Sequence, residues 1–468
     1  MEVKNILIIG AGRAGRLLEK DIRENHLECR VIGFVDDSPV ESRRTVGTIE
    51  DVPGILDIYH VDEMVIAIPS ADGKLIRRIL LINKKNRIPI KIVPRNQKII
   101  SESKVRYADI RELDAEDFLG RPFIDKHVES LKKFYQDKTV FVTGGAGSIG
   151  SEIVRQLIDL GTKKVIVYDS SEYLVFQLEQ QLKERGQREK CQLVIGSILH
   201  SNKLNLLLKK LKPNIVFHAA AYKHVHLMQD NIDEAIYNNV VGTKRVIDAA
   251  VSAHVGLFTF ISTDKVVNPT SIMGASKKLC EYYIRSLKGS KTQFNIVRFG
   301  NVINSNGSAL PLFERQMKLH SYVTITHEKM MRFFMSIREA AQLVIESTAK
   351  GRPGSIHILN MGELLNIMEI AECLIRSKNK VPGKDIELRI TGLRQGEKLV
   401  EELYTEAEEK NLMRTNLGNI LRLKNEEQCS LDMEKVFFDL EDMAKQGGNS
   451  DVLGKFLKQV FPSLKVSR

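Results

Sequence analysis

The stretch Thr139-Val-Phe-Val-Thr143-Gly-Gly-Ala-Gly-Ser-Ile-Gly150 decides the fold class of this 468-residue chain. Its first half, Thr139–Thr143, has the length and apolar character of a buried strand, and a helical pattern follows over Ser151–Leu160. Glycines in the intervening turn let the backbone approach a phosphate group, and the start of a helix favours an anion. The order of strand, glycine turn and helix therefore predicts a Rossmann-like α/β unit with a parallel sheet.

The next strands of this unit predict how it would bind a dinucleotide. Asp169 follows the predicted strand Lys164–Tyr168, where a carboxylate holds the ribose hydroxyls of NAD and repels the additional phosphate of NADP. Asp169 could equally cap the next helix, and the two uses are compatible. The small alanines after the strand Asn214–His218 let the backbone lie against such a cofactor. The predicted cofactor-binding residues are Thr143, Gly144, Gly147, Ser148, Ile149, Gly150, Asp169, Ser197, Ile198, Ala219, Ala220, Ala221 and Lys277.

A similar unit begins at the amino terminus. Lys4–Gly10 predicts a strand, Gly10-Ala-Gly-Arg-Ala-Gly15 a turn and Ala14–Asn25 a helix, with Asp36 at the end of the following strand. A lone motif of this kind is weak evidence, so a nucleotide or nucleotide-sugar site and a turn kept for helix packing are equal alternatives here.

The fold class is therefore α/β with two Rossmann-like domains. Residues 1–100 are predicted to form an N-terminal domain of nucleotide-binding type, and residues 101–137 a connector. Within that connector, Arg121-Pro122 breaks a short helix and Asp125–Tyr135 looks helical. Residues 138–468 are predicted to form the NAD-binding catalytic domain, which carries a smaller C-terminal substrate-binding lobe.

Composition argues against several classes of protein. The longest apolar runs fall far short of the roughly 18–20 residues of a membrane span. The net charge of +11 is spread along the chain and Trp is absent, so no nucleic-acid partner is expected. His224 and His226 lack a third ligand, so no metal site is predicted. The scattered cysteines predict reduced thiols and a cytoplasmic location. These cysteines are Cys29, Cys191, Cys280, Cys373 and Cys429.

Three reactive side chains follow the apolar run Leu257–Ser262. Thr263, Asp264 and Lys265 place a hydroxyl, a carboxylate and an amine at the carboxyl end of a predicted strand, which is the ligand side of a parallel sheet. Asn268-Pro269 then turns the chain into a helix. These three residues are the main candidates for acid–base chemistry.

The helix after that turn carries the first family resemblance. Lys277 lies four residues after Met273, and short-chain dehydrogenases carry Tyr and Lys at this spacing beside the nicotinamide. Met cannot carry a proton, so this resemblance has two interpretations. Either the enzyme is inactive and Met273 is a core residue, or the proton transfers have moved to Thr263, Asp264 and Lys265.

Further motifs narrow the resemblance to an extended short-chain dehydrogenase over residues 137–425. The chain resembles bacterial UDP-N-acetylglucosamine 4,6-dehydratases of polysaccharide biosynthesis. The long form of this family carries a similar first domain, often preceded by membrane helices. The motifs that carry the resemblance are Thr143–Gly150, Ala219–Val225, Ser262–Lys277, Arg298–Val302 and Gly392–Lys398. Residues that depart from the family pattern are Ser197, His226, Asn304, Asn306 and Met331.

The resemblance implies a reaction in which NAD oxidises sugar carbon 4, water is lost across carbons 5 and 6, and the hydride returns to carbon 6. It assigns Lys265 the carbon-5 proton and Asp264 the leaving hydroxyl, or these two roles exchanged. Thr263 would take the carbon-4 proton and Lys277 would hold the ribose. Met273 implies retained configuration at carbon 5. A homo-oligomer is expected. Expected substrate contacts are Lys223, Thr263, Asn301, Arg332, Arg394 and Glu397, with the two arginines on the diphosphate.

Two other functions remain open from the sequence. A nucleotide-sugar 4-epimerase would use the same NAD step, although it needs no elimination machinery such as Asp264 and Lys265. A non-catalytic NAD-sensing protein would fit the loss of Tyr.

Overall fold

A computed structural model describes residues 3–26, 28–38, 44–83, 87–94, 105–120, 127–287, 289–424, 431–445 and 450–465. Arg121-Pro122, the start of the predicted helix Asp125–Tyr135, and Cys429 lie outside the described residues. The described strands are β1 (Lys4–Ile9), β2 (Cys29–Val35), β3 (Thr45–Gly47), β4 (Glu63–Ile66), β5 (Ile90–Ile92), β6 (Arg111–Glu112), β7 (Thr139–Thr143), β8 (Lys164–Asp169), β9 (Cys191–Ile195), β10 (Ile215–His218), β11 (Leu257–Ile261), β12 (Gln293–Arg298), β13 (Asn301–Val302), β14 (Tyr322–Ile325), β15 (Met331–Arg332), β16 (Phe334–Met335), β17 (Ile356–Leu359), β18 (Leu365–Asn366), β19 (Glu387–Ile390), β20 (Leu412–Arg414) and β21 (Ile420–Leu423).

The described α-helices are α1 (Arg13–Asn25), α2 (Val52–Ile58), α3 (Gly73–Ile82), α4 (Ala115–Leu119), α5 (Val128–Tyr135), α6 (Ser148–Asp159), α7 (Glu172–Glu184), α8 (Ser201–Leu211), α9 (Val225–Asp230), α10 (Ile232–Glu234), α11 (Thr243–Ser252), α12 (Ile272–Ser286), α13 (Ala309–Leu319), α14 (Ile337–Lys350), α15 (Ile367–Ser377), α16 (Glu406–Glu409), α17 (Met433–Lys445) and α18 (Ser450–Val460). A π-helical segment covers Ala235–Gly242, and short 3-10 turns cover Tyr107–Asp109, Arg188–Lys190 and Asp264–Val266.

The larger unit is built on a nine-stranded sheet in the order β20-β21-β17-β12-β11-β10-β7-β8-β9. Its strands from β9 to β17 run parallel, and β20 and β21 are antiparallel additions at one edge. Side chains of the central strands are buried on both faces, because helices cover both sides of a parallel sheet of this kind. The strand order reverses between β7 and β10, and ligands bind at such a point.

The smaller unit has a second parallel sheet in the order β3-β2-β1-β4-β5, with β6 antiparallel at its edge. After β1, Gly10 has a φ of +111°, and a side chain there would lie 2.5 Å from Ile68. Asp36 Oδ2 accepts a hydrogen bond of 2.7 Å from Ala11 N in the turn. The fold class predicted from the sequence, α/β with two Rossmann-like units, is therefore confirmed. A ligand for the first unit stays a prediction.

Three separate segments of the chain form the smaller unit. Residues 1–124, 309–329 and 365–391 form this unit, and residues 125–308, 330–364 and 392–468 form the larger one. This division differs from the predicted contiguous domain over 138–468. Its physical cause is packing within the smaller unit, where α15 lies against α3 and α4 and where β14 pairs with β19.

Among the described residues, no helix is both long enough and apolar enough to cross a membrane. Cys29, Cys191, Cys280 and Cys373 are free thiols.

Candidate active site

A cavity of about 880 Å³ lies within the larger unit, at the carboxyl ends of its central strands. The glycine turn after β7 forms one part of its wall, and Thr263, Asp264 and Lys265 after β11 form another. Residues of the segment 396–402 close a third part. The structure thus brings together motifs that lie far apart in the sequence.

The turn between β7 and α6 is shaped by close backbone approaches. Gly144 has a φ of +61°, and a side chain there would lie 2.6 Å from Ala220 N. Gly150 lets α6 pack on the turn, since a side chain there would lie 2.1 Å from Gly144 O. Gly147 caps α6 with no side-chain hydrogen bond to the helix. The first N–H groups of α6 are therefore available to a phosphate at this wall of the cavity.

Asp169 lies at the end of β8, beside this turn. Its Oδ2 accepts from Ala146 N at 3.0 Å and its Oδ1 accepts from Ser171 N at 3.0 Å. Ser171, rather than Asp169, provides the side-chain cap of α7. The carboxylate is thus oriented by backbone groups, as Asp36 is in the smaller unit. This geometry is compatible with a carboxylate that binds ribose hydroxyls. That role of Asp169 stays a prediction.

Several predicted cofactor residues lie behind the cavity wall. Thr143 is buried and its hydroxyl shares a 2.6 Å hydrogen bond with His218 Nδ1. The backbone carbonyl of Ser197 accepts a hydrogen bond of 2.8 Å from the hydroxyl of Tyr168. Gly144, Gly147, Ser148, Ile149, Gly150, Ala219, Ala221 and Lys277 line the cavity, whereas Thr143, Asp169, Ser197, Ile198 and Ala220 are not among its lining residues.

Thr263, Asp264 and Lys265 form a connected cluster on the cavity wall. Thr263 Oγ1 donates to Asp264 Oδ1 at 2.8 Å, and Lys265 Nζ donates to the same oxygen at 3.0 Å. Asp264 is 1% exposed, and its Oδ2 has no hydrogen-bond partner among the described residues. Burial, followed by repulsion from the carboxylate of Glu401, raises the pKa of Asp264 to about 7. Asp264 can therefore carry a proton near neutral pH.

Glu401 is a functional candidate that the sequence did not identify. Its Oε1 lies 2.8 Å from Lys265 Nζ and 3.1 Å from Arg332 Nε, and the residue is 5% exposed. Burial alone would raise the pKa of Glu401, but the charges of Lys265 and Arg332 outweigh it and lower the pKa to about 2. The available signal was its position three residues after the motif Gly392–Lys398.

Lys265 is charged in this arrangement. Burial would lower its pKa, but the carboxylates of Asp264 and Glu401 outweigh burial and raise it. Lys223 has its pKa lowered by burial first and by the charge of Lys265 second. The expected neutral lysine base is therefore not the resting form of Lys265, since two acidic groups hold its proton.

Met273 and Lys277 occupy adjacent turns of α12. Met273 is 4% exposed, packs in the core and also lines the cavity, so its burial does not decide between the two interpretations. Lys277 Nζ donates to Ile261 O at 3.0 Å and lies 4.5 Å from the ring centre of Phe260. Burial lowers the pKa of Lys277 to about 8. A proton donor or acceptor is thus present near Met273 although Tyr is absent.

The two arginines expected on a diphosphate differ in their surroundings. All three guanidinium nitrogens of Arg332 are bonded within the protein, to Glu401 and to the backbone carbonyls of residues 331, 398 and 399. Arg332 thus belongs to the acid–base cluster, and contact with a diphosphate would require some of these bonds to break. Arg394 is exposed, and its Nη1 lies 3.3 Å from His226 Nδ1.

The other expected substrate contacts lie on or near the cavity. Lys223 Nζ donates to Ser305 Oγ at 3.2 Å, and both residues line the cavity. Asn301 Nδ2 donates to Glu401 Oε2 at 2.9 Å, and its Oδ1 lies 3.3 Å from Lys265 Nζ. Glu397 lines the cavity and accepts from Arg394 N at 3.1 Å. Among the described residues, no group of His, Cys, Asp and Glu has the arrangement of a metal site.

Comparison with known proteins places this site in a family. Residues 140–425 match the family model described as polysaccharide biosynthesis protein. The capsular polysaccharide biosynthesis protein CapD of Staphylococcus aureus is 36% identical over 419 residues, which cover 87% of this chain and 70% of CapD. A UDP-glucose 4-epimerase of Rickettsia bellii is 33% identical over 300 residues, which cover 62% of this chain and 83% of that protein.

Solved structures share the fold. Pen from Bacillus thuringiensis is 30% identical with a TM-score of 0.58, over 66% of this chain and 98% of Pen. A double mutant of the dTDP-glucose 4,6-dehydratase DesIV from Streptomyces venezuelae, with NAD bound, is 22% identical with a TM-score of 0.53. That match covers 67% of this chain and 99% of DesIV and shows the fold alone.

Proposed function

Because this chain belongs to the family of polysaccharide biosynthesis proteins, we propose that it is an NAD-dependent 4,6-dehydratase of UDP-N-acetylglucosamine. The observation that carries the proposal is the cluster of Thr263, Asp264 and Lys265 on the cavity wall. A buried carboxyl group that can hold a proton near neutral pH lies 3.0 Å from an amine. Loss of water needs both an acid for the leaving hydroxyl and a base for the neighbouring carbon.

The cavity fits NAD at the turn before α6. The open helix start at Gly147 would face the diphosphate, Asp169 would hold the ribose of the adenosine half, and Lys277 would hold the ribose next to the nicotinamide. When bound, NAD supplies an oxidant for carbon 4 of the sugar and recovers its oxidised form when carbon 6 is reduced.

Thr263 is placed to relay the proton of the carbon-4 hydroxyl. Its own hydroxyl lines the cavity and donates to Asp264 Oδ1 at 2.8 Å. Thr263 Oγ1 can therefore accept the carbon-4 proton while it passes its own proton to Asp264 Oδ1. This relay does the work that Tyr performs in other short-chain dehydrogenases, where this chain has Met273.

Asp264 and Lys265 supply the acid and the base. The proton that Asp264 receives through Thr263 makes it a neutral carboxylic acid, which protonates the hydroxyl that leaves carbon 6, so the carbon-4 proton departs in the water. Lys265 Nζ, 3.0 Å from Asp264 Oδ1, releases its own proton to water in the cavity, takes the proton of carbon 5 and returns it when hydride reaches carbon 6. We propose that configuration at carbon 5 is retained, with substrate contacts from Lys223, Asn301 and Arg394.

A 4-epimerase is the second candidate, favoured by the identity of 33% with the UDP-glucose 4-epimerase of Rickettsia bellii. An epimerase requires no acid and base for elimination. The paired Asp264 and Lys265 therefore favour the dehydratase.

The test is incubation with UDP-N-acetylglucosamine and mass measurement of the nucleotide sugar. A dehydratase gives a product lighter by one water, an epimerase leaves the mass unchanged, and a sensor gives no product. Lys265→Ala and Asp264→Asn should each slow water loss by about a hundred- to ten-thousandfold while NAD binding persists. Lys350→Ala, at an exposed position of α14, is the control for loss of a lysine. Turnover near the wild-type rate in either site variant would refute the assignment.

A further inference from the structure

Glu401 holds together the polar groups of the cluster. Its Oε1 contacts Lys265 Nζ at 2.8 Å and Arg332 Nε at 3.1 Å, while its Oε2 accepts from Asn301 Nδ2 at 2.9 Å. A parallel bridge between Met331 and Val400 fixes the backbone on which Glu401 lies. Every oxygen of this carboxylate therefore has a cationic or amide partner.

Asp264 is bound in a different way. One oxygen, Oδ1, accepts from both Thr263 and Lys265, whereas the buried Oδ2 has no hydrogen-bond partner among the described residues. A buried carboxylate oxygen without a hydrogen bond raises the free energy of the ionised form, because its desolvated charge is only partly compensated. Two carboxylates in one site cannot both remain ionised as easily as one, so a shared proton goes to the less compensated group.

We propose that Glu401 is a positioning residue that keeps the exchangeable proton of this carboxylate pair on Asp264, which makes Asp264 the acid for the leaving hydroxyl. The inference rests on the proposed dehydration and adds a residue to it. Glu401 acts through its negative charge on Asp264 and through its hold on Lys265 and Asn301. Its contact with Arg332 keeps Glu401 itself ionised.

Other charges near the pair are few in the described part of the site. Lys265 and Arg332 act on Glu401, and Glu401 and Lys265 act on Asp264. The charge of Lys265 also lowers the pKa of Lys223, after burial. Lys398 pairs with the exposed Glu402 at 3.0 Å, so these two charges offset each other. The sign of the expected shift thus depends on Glu401 and on the cation that it binds.

Removal of the charge at constant shape tests this directly. Glu401→Gln removes the repulsion on Asp264 and frees Lys265 to pair with Asp264 alone, and both changes favour ionised Asp264. We expect Asp264 to lose its proton at a pH lower by about one unit or more. The acid limb of the pH profile of water loss should move in the same direction, because the relay needs ionised Asp264 to receive the carbon-4 proton. Glu401→Asp keeps the charge and should keep the profile near that of wild type at a reduced rate.

Infrared titration of the protein with NAD but without substrate gives a readout independent of turnover. Isotope-labelled aspartate and glutamate identify which residue type carries a protonated carboxyl group near neutral pH, and Asp264→Asn assigns the band. The wild-type band should carry the aspartate label, and it should move to lower pH in Glu401→Gln. Glu409→Gln, at an exposed position of α16, should leave it in place.

The outcomes separate the inference from the proposed function. A protonated carboxyl with the glutamate label in the wild-type protein would overturn the inference even if Glu401→Gln did not fold. An unmoved aspartate band, or a rate that falls equally at every pH, would reduce Glu401 to a structural role and also overturn it. The expected titration in a wild-type protein that never releases water would instead refute the dehydration.

Discussion

The proposed relay through Thr263, beside Met273 of α12, gives a sharp prediction about proton transfer. If Thr263 relays the carbon-4 proton, Thr263→Val should slow the first oxidation strongly, because valine keeps the shape and removes the hydroxyl. Met273→Leu should cost little, because leucine has a similar volume and Met273 offers no proton in either case. The comparison therefore separates a chemical role from a packing role at neighbouring positions of one cavity.

The structure sets the expected magnitudes. Thr263→Val removes the 2.8 Å bond to Asp264 Oδ1, which connects the cavity with the buried carboxyl. Loss of a positioned general base lowers a rate by about a hundred- to ten-thousandfold, or roughly 3–5 kcal/mol in the barrier. Met273 is 4% exposed and packs among apolar side chains, so Met273→Leu should destabilise the fold by less than about 1.5 kcal/mol.

The assay is NADH formation in a single turnover, with substrate deuterated at carbon 4 to show that the oxidation itself is observed. Met273→Leu as slow as Thr263→Val would show that the sulfur or the shape of Met273 is essential. Full speed in Thr263→Val would show that another group accepts the carbon-4 proton, with Asp264 the nearest alternative at 2.8 Å from the hydroxyl. Either result refutes the relay.

Three other predictions address the cofactor, the core and the smaller unit. Binding measured by calorimetry should favour NAD over NADP if Asp169 holds the ribose hydroxyls as proposed, and a preference for NADP would overturn that role. Burial, followed by the charge of Arg422, lowers the pKa of His357 to about 4, so stability should fall by up to about 3 kcal/mol as the pH drops from 6.5 to 4. In thermal unfolding at several pH values, His357→Leu should lose less stability than the wild-type protein between pH 6.5 and 4. An unchanged dependence of stability on pH would contradict this role of His357. Deletion of residues 1–100 removes α3 from α15, so the truncated chain should bind hydrophobic dye and be cleaved near α15 in limited proteolysis; resistance there would show that α15 is stable alone.

Much of the fold follows from local pattern. The glycine turn Gly144–Gly150 could be predicted because a strand, a turn without room for side chains and a helix must follow one another there, and the structure shows the close contacts that require glycine. The carboxyl ends of parallel strands lie at one edge of the sheet, so the sequence alone places Thr263, Asp264 and Lys265 on its ligand side.

The division into units could not be predicted in this way. The helix α15 has an apolar face that a sequence shows plainly, with Ile370, Cys373 and Leu374 buried. Its amphipathic pattern predicts that this face is buried but does not identify the helices that pack against it. The cover is provided by α3 and α4, from a part of the chain more than two hundred residues away. Periodicity is a local property, whereas the partner is chosen by shape complementarity across the fold.

Glu401 shows the same limit within the site. Glu401 and Glu402 are adjacent and chemically equivalent in the sequence, yet the first is 5% exposed and the side chain of the second is 48% exposed. The backbone decides between them, because Met331 N donates to Leu399 O at 2.9 Å and so fixes the register of this extended segment. Successive side chains of an extended chain point to opposite sides, so the exposed Val400 requires the next side chain to face inward. A shift of one residue would send Glu402 into the cluster and Glu401 to the solvent, with no change in composition or charge. The charge that sets the proton on Asp264 is therefore selected by the register of a short pairing rather than by the motif that precedes it.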